Sequence, residues 1–331
     1  MSSTSRSLTG LAVSLRYGIL SCLLLLLPLG AWADELRVTL LPSREGGAYQ
    51  RVIEAIQQQV RQSADKTVSL STVSLEEYAR HSTDIEQESD LLVSIGMRAT
   101  DSVARRHGST PLLATLVPYS GLAASLNKID ANSASAEPRS ISAILLDQPV
   151  SRPLSLTRLL LGKHKPIGIP LGPDSRRQQL EIERVAARLG LSIEIETIDS
   201  PANLMHHLSR LLERSDVLLA LPDPAIFNRQ SVRHILLSSY RKRVPVIGFS
   251  RSYVTAGALA AAYSTPRQIG RQAGEIIVSL HNDVARLPAA FIEPRYFSVS
   301  INGQVARSFG FTEISAERLK REIMRLEGRE E

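Results

Sequence analysis

Cysteine is almost missing from this chain of 331 residues, and the one that occurs, Cys22, lies in its first tenth. A framework of disulfides is therefore excluded, and so is any zinc site built on paired cysteines. Aromatic residues make up only 5% of the chain, and Trp32 is the single tryptophan. No G-x-G-x-x-G follows any apolar run, and Gly162-Lys163-His164 has neither the upstream glycine spacing nor the following hydroxyl of a Walker loop. H-E-x-x-H is absent, and the neighbours His206 and His207 would diverge by about 100° on a helix. Gly248-Phe249-Ser250-Arg251-Ser252 starts like a nucleophile elbow but lacks its second glycine. No enzyme reading and no metal or cofactor site emerges from these patterns.

Acidic side chains are absent from the first 33 residues, which carry Arg6 and Arg16, run apolar from Ile19 to Leu29 and end in Ala31-Trp32-Ala33. This predicts a cleaved secretory signal peptide and export to a bacterial periplasm. The apolar run, broken by Pro28 and Gly30, is shorter than the roughly 18 residues of a spanning helix. Cys22 precedes Leu23–Leu27 instead of a polar mature chain, which argues against a lipid anchor there. Loss of the two leader arginines would reduce the formal net charge from +6 to +4. The remaining positive charges alternate with acids, as in Arg176–Arg188, a pattern of solvated helix faces and not of a nucleic-acid footprint.

What remains alternates. Leu36–Pro42, Val68–Val73, Leu91–Gly96 and Leu112–Val117 predict strands, separated by helices over Tyr49–Arg61, Leu75–Ile85 and Thr100–His107. Asn127–Ser140, rich in Ser, Ala and Asn, predicts an exposed loop. A strand at Ile141–Leu146 then opens a second series, with strands at Pro166–Leu171, Ser192–Ile198, Val217–Leu221 and Val244–Phe249 and helices between them. The fold class expected is α/β, with two Rossmann-like lobes of parallel strands. Residues 251–331 hold too few strands to fold alone and are expected to join the first lobe, giving lobes of 34–146 plus 251–331 and of 147–250.

In such sheets ligands collect at the carboxyl ends of strands. The tips nominate Ser43, Gly46, Gly96, Met97, Tyr119, Asp147, Asp223, Ser250 and Tyr253 as candidate ligand-binding residues. Each has a plainer alternative. Gly46-Gly47 could be a turn or a close backbone approach to a ligand, and Asp174-Ser175 suits a helix cap. Asp223, between two prolines at the end of an apolar strand, suits a ligand acceptor or a cap for the next helix. Tyr119 and Tyr253 could cover a ligand or pack an interface.

Val217-Leu-Leu-Ala-Leu-Pro-Asp-Pro224, Val244-Pro-Val-Ile-Gly-Phe-Ser250 and Ala256-Gly-Ala-Leu-Ala-Ala-Ala-Tyr-Ser-Thr-Pro-Arg-Gln-Ile-Gly-Arg-Gln-Ala273 together resemble the substrate-binding proteins of bacterial ABC importers, built on the type I periplasmic-binding-protein fold. The resemblance covers most of the chain after the leader and is densest over 217–310. It implies three crossings between lobes, near Ile144–Pro149, Ser250–Tyr253 and Ser298–Gln304. It also implies capture of a small molecule, such as an amino acid or related metabolite, and delivery to an ABC permease in the inner membrane. Where the family carries a Gly-Thr-small-Ala tip, this chain has Gly96-Met97-Arg98-Ala99, a thioether in place of a hydroxyl. The acidic tip, Pro222-Asp223-Pro224, lacks the family's polar residue after the aspartate. A sensor that presents its closed form to a membrane kinase uses the same cleft, so this second reading stays open. A two-lobed glycosyltransferase-like enzyme is disfavoured by export and by the missing nucleotide signature.

Overall fold

The computed structural model describes residues 35–63, 68–106, 108–130, 139–162, 165–280, 283–287, 291–311 and 314–329. The expected leader over 1–33 with Cys22, most of the expected 127–140 loop, and Lys163-His164 lie outside the described residues.

The first sheet follows from strands that are apolar almost throughout, as parallel strands covered on both faces must be. β1 (Leu36–Pro42) exposes only Arg37, and β3 (Leu91–Ile95) exposes nothing. With β2 (Val68–Thr72), β4 (Leu112–Val117), β5 (Ile141–Leu145) and the two-residue β11 (Phe291–Ile292) they form a parallel sheet of order β11-β5-β4-β3-β1-β2. The crossover helices are α1 (Gly47–Gln62), α2 (Leu75–Gln87), α3 (Met97–Ala104) and α4 (Tyr119–Asp130). α1 buries Val52, Ile53, Ala55, Ile56 and Val60, the spacing of a single helical face.

The second sheet contains β6 (Ile167–Leu171), β7 (Ile193–Thr197), β8 (Val217–Leu219), β9 (Val246–Gly248), β10 (Ala260–Tyr263) and β12 (Ser298–Ile301), in the order β12-β10-β9-β8-β6-β7. All its pairings are parallel except β10 with β12. The fold is thus α/β, two Rossmann-like lobes joined by three crossings.

The sheets apportion the chain differently from the boundaries read in the sequence. Residues 251–263, 298–311 and 314–329 belong with the second sheet, so the chain leaves that lobe after Tyr263 and not at Ser250. The reason is the run Ala258–Ala262: its small apolar side chains, all buried, make a strand that hydrogen-bonds beside β9. The crossings fall at Leu146–Pro149, Ser264–Thr265 and Glu293–Phe297. Among the described residues, α10 (Pro266–Ser279), the turn Val284–Arg286 and β11 return to the first lobe.

α10 starts at a capping box, with Thr265 accepting from Gln268 N–H, the Gln268 side chain accepting from Thr265 N–H, and Pro266 in the first turn. It lies against α1 through Gly270 and Gly274. A Cβ at Gly270 would stand 2.5 Å from the Val52 carbonyl oxygen, and one at Gly274 2.6 Å from Gln59 Cβ. Only glycine allows the two helices this close.

The crossings are tied to one another. Gln148 Nε2 donates to Ser264 Oγ at 2.9 Å, and Ser264 Oγ donates to the Tyr296 carbonyl at 2.6 Å. From α5 (Ser151–Leu161), Arg152 donates to Gln148 Oε1, the Pro294 carbonyl and Glu327 Oε1 at 2.9, 2.7 and 2.7 Å. Glu327 follows α12 (Ala316–Leu326), an amphipathic helix that buries Leu319 and Ile323. Arg152 is only 3% exposed, so these partners are what make its burial tolerable.

Candidate functional site

Strand ends build two sets of polar tips. In the first lobe, Ser43 follows β1 and is held by its N–H donating to the Ile95 carbonyl at 2.9 Å. Its Oγ accepts the Ala99 N–H at 3.0 Å, so a residue from another strand caps the first turn of α3. Gly96 has φ +90°, and a Cβ there would meet Tyr49 Cε1 at 2.6 Å and Ser43 Oγ at 2.8 Å. Ser43, Tyr49, Gly96 and the start of α3 are therefore one packed corner. Gly46 and Gly47, with φ of +72° and +56°, lead into α1 with open space where side chains would be. The turn needs glycine for its backbone, and the space leaves the helix start uncovered.

Tyr119 and Asp147 meet directly. The Tyr119 N–H, first in α4, donates to Asp147 Oδ2 at 2.7 Å, and the Tyr119 ring packs edge-on against Phe291 at 5.3 Å. Burial pushes the Asp147 carboxyl above the usual carboxylate range, partly offset by that N–H and by the charge of Arg177. Met97 joins the same apolar cluster as Tyr119, its sulfur 3.1 Å from where a Gly121 Cβ would stand.

In the second lobe Asp223, expected as a ligand acceptor or a helix cap, is hydrogen-bonded within its own lobe. Its Oδ2 accepts from Asp174 N–H, Ser175 N–H and Ser175 Oγ at 3.1, 2.9 and 2.8 Å, and its Oδ1 accepts from Ala225 N–H at 3.0 Å. All four donors are in its own lobe, and the residue is 2% exposed. A Cβ at Gly172 would stand 2.5 Å from the carboxylate, so the two loops after β6 and β8 are fitted around it. Ser175 is consequently not a plain N-cap: its hydroxyl also accepts from Gly172 N–H at 2.9 Å.

Ser250 caps a short helix, α9 by chain order (Arg251–Ala256), its side chain accepting from Tyr253 N–H. Tyr253 packs at 4.4 Å from the Phe249 ring and 6.1 Å from Phe227, and burial raises its phenol above the ordinary value. Phe227 N–H in turn donates to the Asp223 carbonyl at 2.7 Å, placing Asp223 and Tyr253 in a common corner.

One contact passes from one set of tips to the other. The Arg177 guanidinium, on the turn Arg176–Gln178 after β6, lies over the Tyr119 ring at 3.2 Å from its centroid. In the sequence Arg177 is hidden, because its charge is one of many alternating along 176–188. Its place two residues beyond a strand-tip serine was the available signal. Phe227 lies in a turn and Phe291 in a strand of two residues, segments too short to show a period in the sequence.

A family model described as ABC transporter substrate binding protein matches residues 51–309. Among solved structures, a ligand-free, open substrate-binding protein with adhesive properties from Clostridium difficile superposes with a TM-score of 0.63 at 16% identity, covering 85% of this chain and 97% of that one. An ABC domain from Streptococcus pneumonia in complex with L-Trp gives 0.53 at 17% identity, covering 84% and 96%. A conserved domain protein from Vibrio cholerae gives 0.52 at 18% identity, covering 85% and 97%. No curated protein matches the chain.

Proposed function

This chain belongs to the ABC transporter substrate-binding protein family, and from that premise we propose that it captures a small solute between its two lobes in the periplasm and delivers it to an ABC permease. The observation that supports the reading best is the Arg177–Tyr119 stack, which puts a cation of one lobe on an aromatic face of the other at the strand ends. A solute entering there competes for both groups. Ligand contacts drawn from both lobes favour the closed form by their differential affinity for it.

Ser43, Gly46, Gly96, Met97, Tyr119 and Asp147 on one side, and Asp223, Ser250 and Tyr253 on the other, surround the proposed site. Within it we assign Tyr119, Tyr253 and the open Gly46-Gly47 backbone to direct contact, and Asp147 and Asp223 to holding the loops that carry it. The uncovered start of α1 and the Arg177 guanidinium suit a carboxylate, which favours an amino acid or related metabolite as ligand. The protein acts on this reading by binding alone, after export and removal of residues 1–33.

Native mass spectrometry of protein purified from its own periplasm tests the proposal. A co-purified small molecule whose rebinding weakens in Tyr119→Ala and Arg177→Ala is expected. A protein that stays in the membrane fraction, or a ligand indifferent to both substitutions, would overturn it.

A further inference from the structure

On the second lobe a groove of about 430 Å³ opens between α8 (Val232–Arg241), the end of α9 and α11 (Gly303–Ser308). Leu236, Leu237, Tyr240 and Val305 line it, and Gly257 leaves its floor open, since a Cβ there would meet nothing nearer than Leu236 Cδ1 at 4.0 Å. The core of the lobe does not use these apolar groups: α8 buries Ile235 and Ser239, while Leu237 is 45% and Tyr240 56% exposed. Tyr240 is steadied by the Phe309 ring, edge-on at 6.1 Å. A contiguous apolar lining left in solvent marks a docking surface. The groove also lies far from the strand tips. β9 and β10 begin where α8 and α9 end, and β12 runs antiparallel to β10 into α11, so all three helices meet at the amino ends of the parallel strands.

The rim carries charge of one sign. Unlike 176–188, residues 224–274 contain no acidic side chain, and neither do residues 294–311, so the elements around the groove bring cations alone. Arg233 lines the groove, Arg241 stands one turn beyond Leu237 on the same ridge of α8, and Arg307 follows Val305 on α11. The three guanidinium groups form no ion pair or hydrogen bond among the described residues. Lys242, by contrast, is already paired with Glu213 at 2.9 Å. Leu237 thus sits on the helix surface between two arginines whose N–H groups are unspent, the arrangement that complements an apolar side chain flanked by carboxylates.

We propose that this groove docks an acidic amphipathic helix of another protein. A concave apolar floor takes projecting side chains, which a flat bilayer surface does not supply, and the arginines of the rim select carboxylates beside them. Because the strand tips lie at the other end of the lobe, the partner leaves the proposed solute site open. Fluorescence anisotropy tests the proposal, using the purified protein and a labelled peptide of about 18 residues stapled as a helix, Leu along one face and Glu along the other. Saturable binding of one peptide per chain is expected, weakening as salt rises, while a peptide of the same composition in scrambled order does not bind. Leu237→Glu should abolish binding. Arg233→Glu should weaken it roughly tenfold, the order of one lost charge-assisted hydrogen bond, with the thermal midpoint unchanged in both variants because these side chains are exposed. Arg184→Glu, on the helix Gln179–Leu189 of the same lobe, should leave binding intact. If phosphatidylglycerol vesicles bind and lose binding in Leu237→Glu while the helical peptide does not bind, the surface is a membrane contact and the proposal fails. Equal binding of the two peptides, no binding of either, or binding that both groove substitutions leave unchanged in folded protein overturns it as well.

Discussion

A single carboxylate shows how residue chemistry holds the loops of the proposed site. Asp223 gathers three N–H donors and a hydroxyl from two loops, so its removal leaves buried amides with no acceptor. Asp223→Ala is expected to cost about 1.5–3 kcal/mol of stability by the usual worth of hydrogen bonds to charged groups, measured by urea denaturation. It should also lower ligand affinity, since the Gly172–Ser175 loop carries Arg177. Asp223→Asn keeps one acceptor oxygen and should fall between. Unchanged stability in the alanine variant would show that the loops hold themselves. Asp147 gives a pH signature of opposite kind. Its folded pKa is raised, so the folded state binds this proton more tightly than the unfolded state does. Its contribution to stability is then greatest at low pH and declines as pH rises from the unfolded value, about 3.9, through the raised folded one. Asp147→Asn should flatten that part of the stability–pH curve, and an identical slope in both proteins would refute the assignment.

Among the elements, those with one strong signal were legible in the sequence and those with two competing signals were not. β1, β3 and β6 are short apolar runs between polar tips, and α1 has a clean face. The run Ala258–Ala262 falls within the stretch expected to join the first lobe, because alanine carries little hydrophobic or β-branched signature of a strand. Bounded by Gly257 and Ser264-Thr265-Pro266, it is nonetheless a buried strand followed at once by a capping box. The site was partly legible for a related reason. Strand tips can be located from sequence, which nominates Tyr119, Asp147 and Asp223, but partners across a fold cannot, which hides the four donors of Asp223 and the place of Arg177. Gly270 and Gly274 were equally mute, since only the approach of α1 gives them meaning. Gly270→Val is expected to drive a side chain into the Val52 carbonyl and the Ala55 methyl, prising α10 from α1. Overpacking of this kind costs about 1–3 kcal/mol, often more against backbone. The thermal midpoint should fall while the start of α10, held by its own cap, stays helical. A midpoint equal to that of the parent would mean that the helices are not packed this closely.

At the scale of the whole molecule, two lobes can move as units only if the strands between them are held without being frozen. Arg152 supplies the hold: one buried guanidinium reaches Gln148 in the first crossing, the carbonyls of Pro294 and Arg295 in the third, and Glu327 beyond α12. The Ser264 hydroxyl of the second crossing is joined through Gln148. The end of the C-terminal helix is thereby pinned to the crossings, although nothing in its sequence but amphipathic spacing distinguishes it. Removing one member of a buried ion pair strands the other, at a cost of about 3–5 kcal/mol. Arg152→Met, which keeps an apolar stem over Phe297, should therefore destabilise strongly and release the C-terminal helix, seen as faster amide exchange over Ala316–Leu326. Glu327→Gln alone should cost less, because the amide oxygen still accepts. The double variant should be less destabilised than the sum of the two, a coupling of about 1–3 kcal/mol as found for members of one network. Because the same guanidinium joins two crossings, small-angle scattering of Arg152→Met should also show a wider spread between open and closed forms than the parent. Additive energies with unaltered exchange in the C-terminal helix would mean that this helix merely covers the second core and takes no part in the hinge.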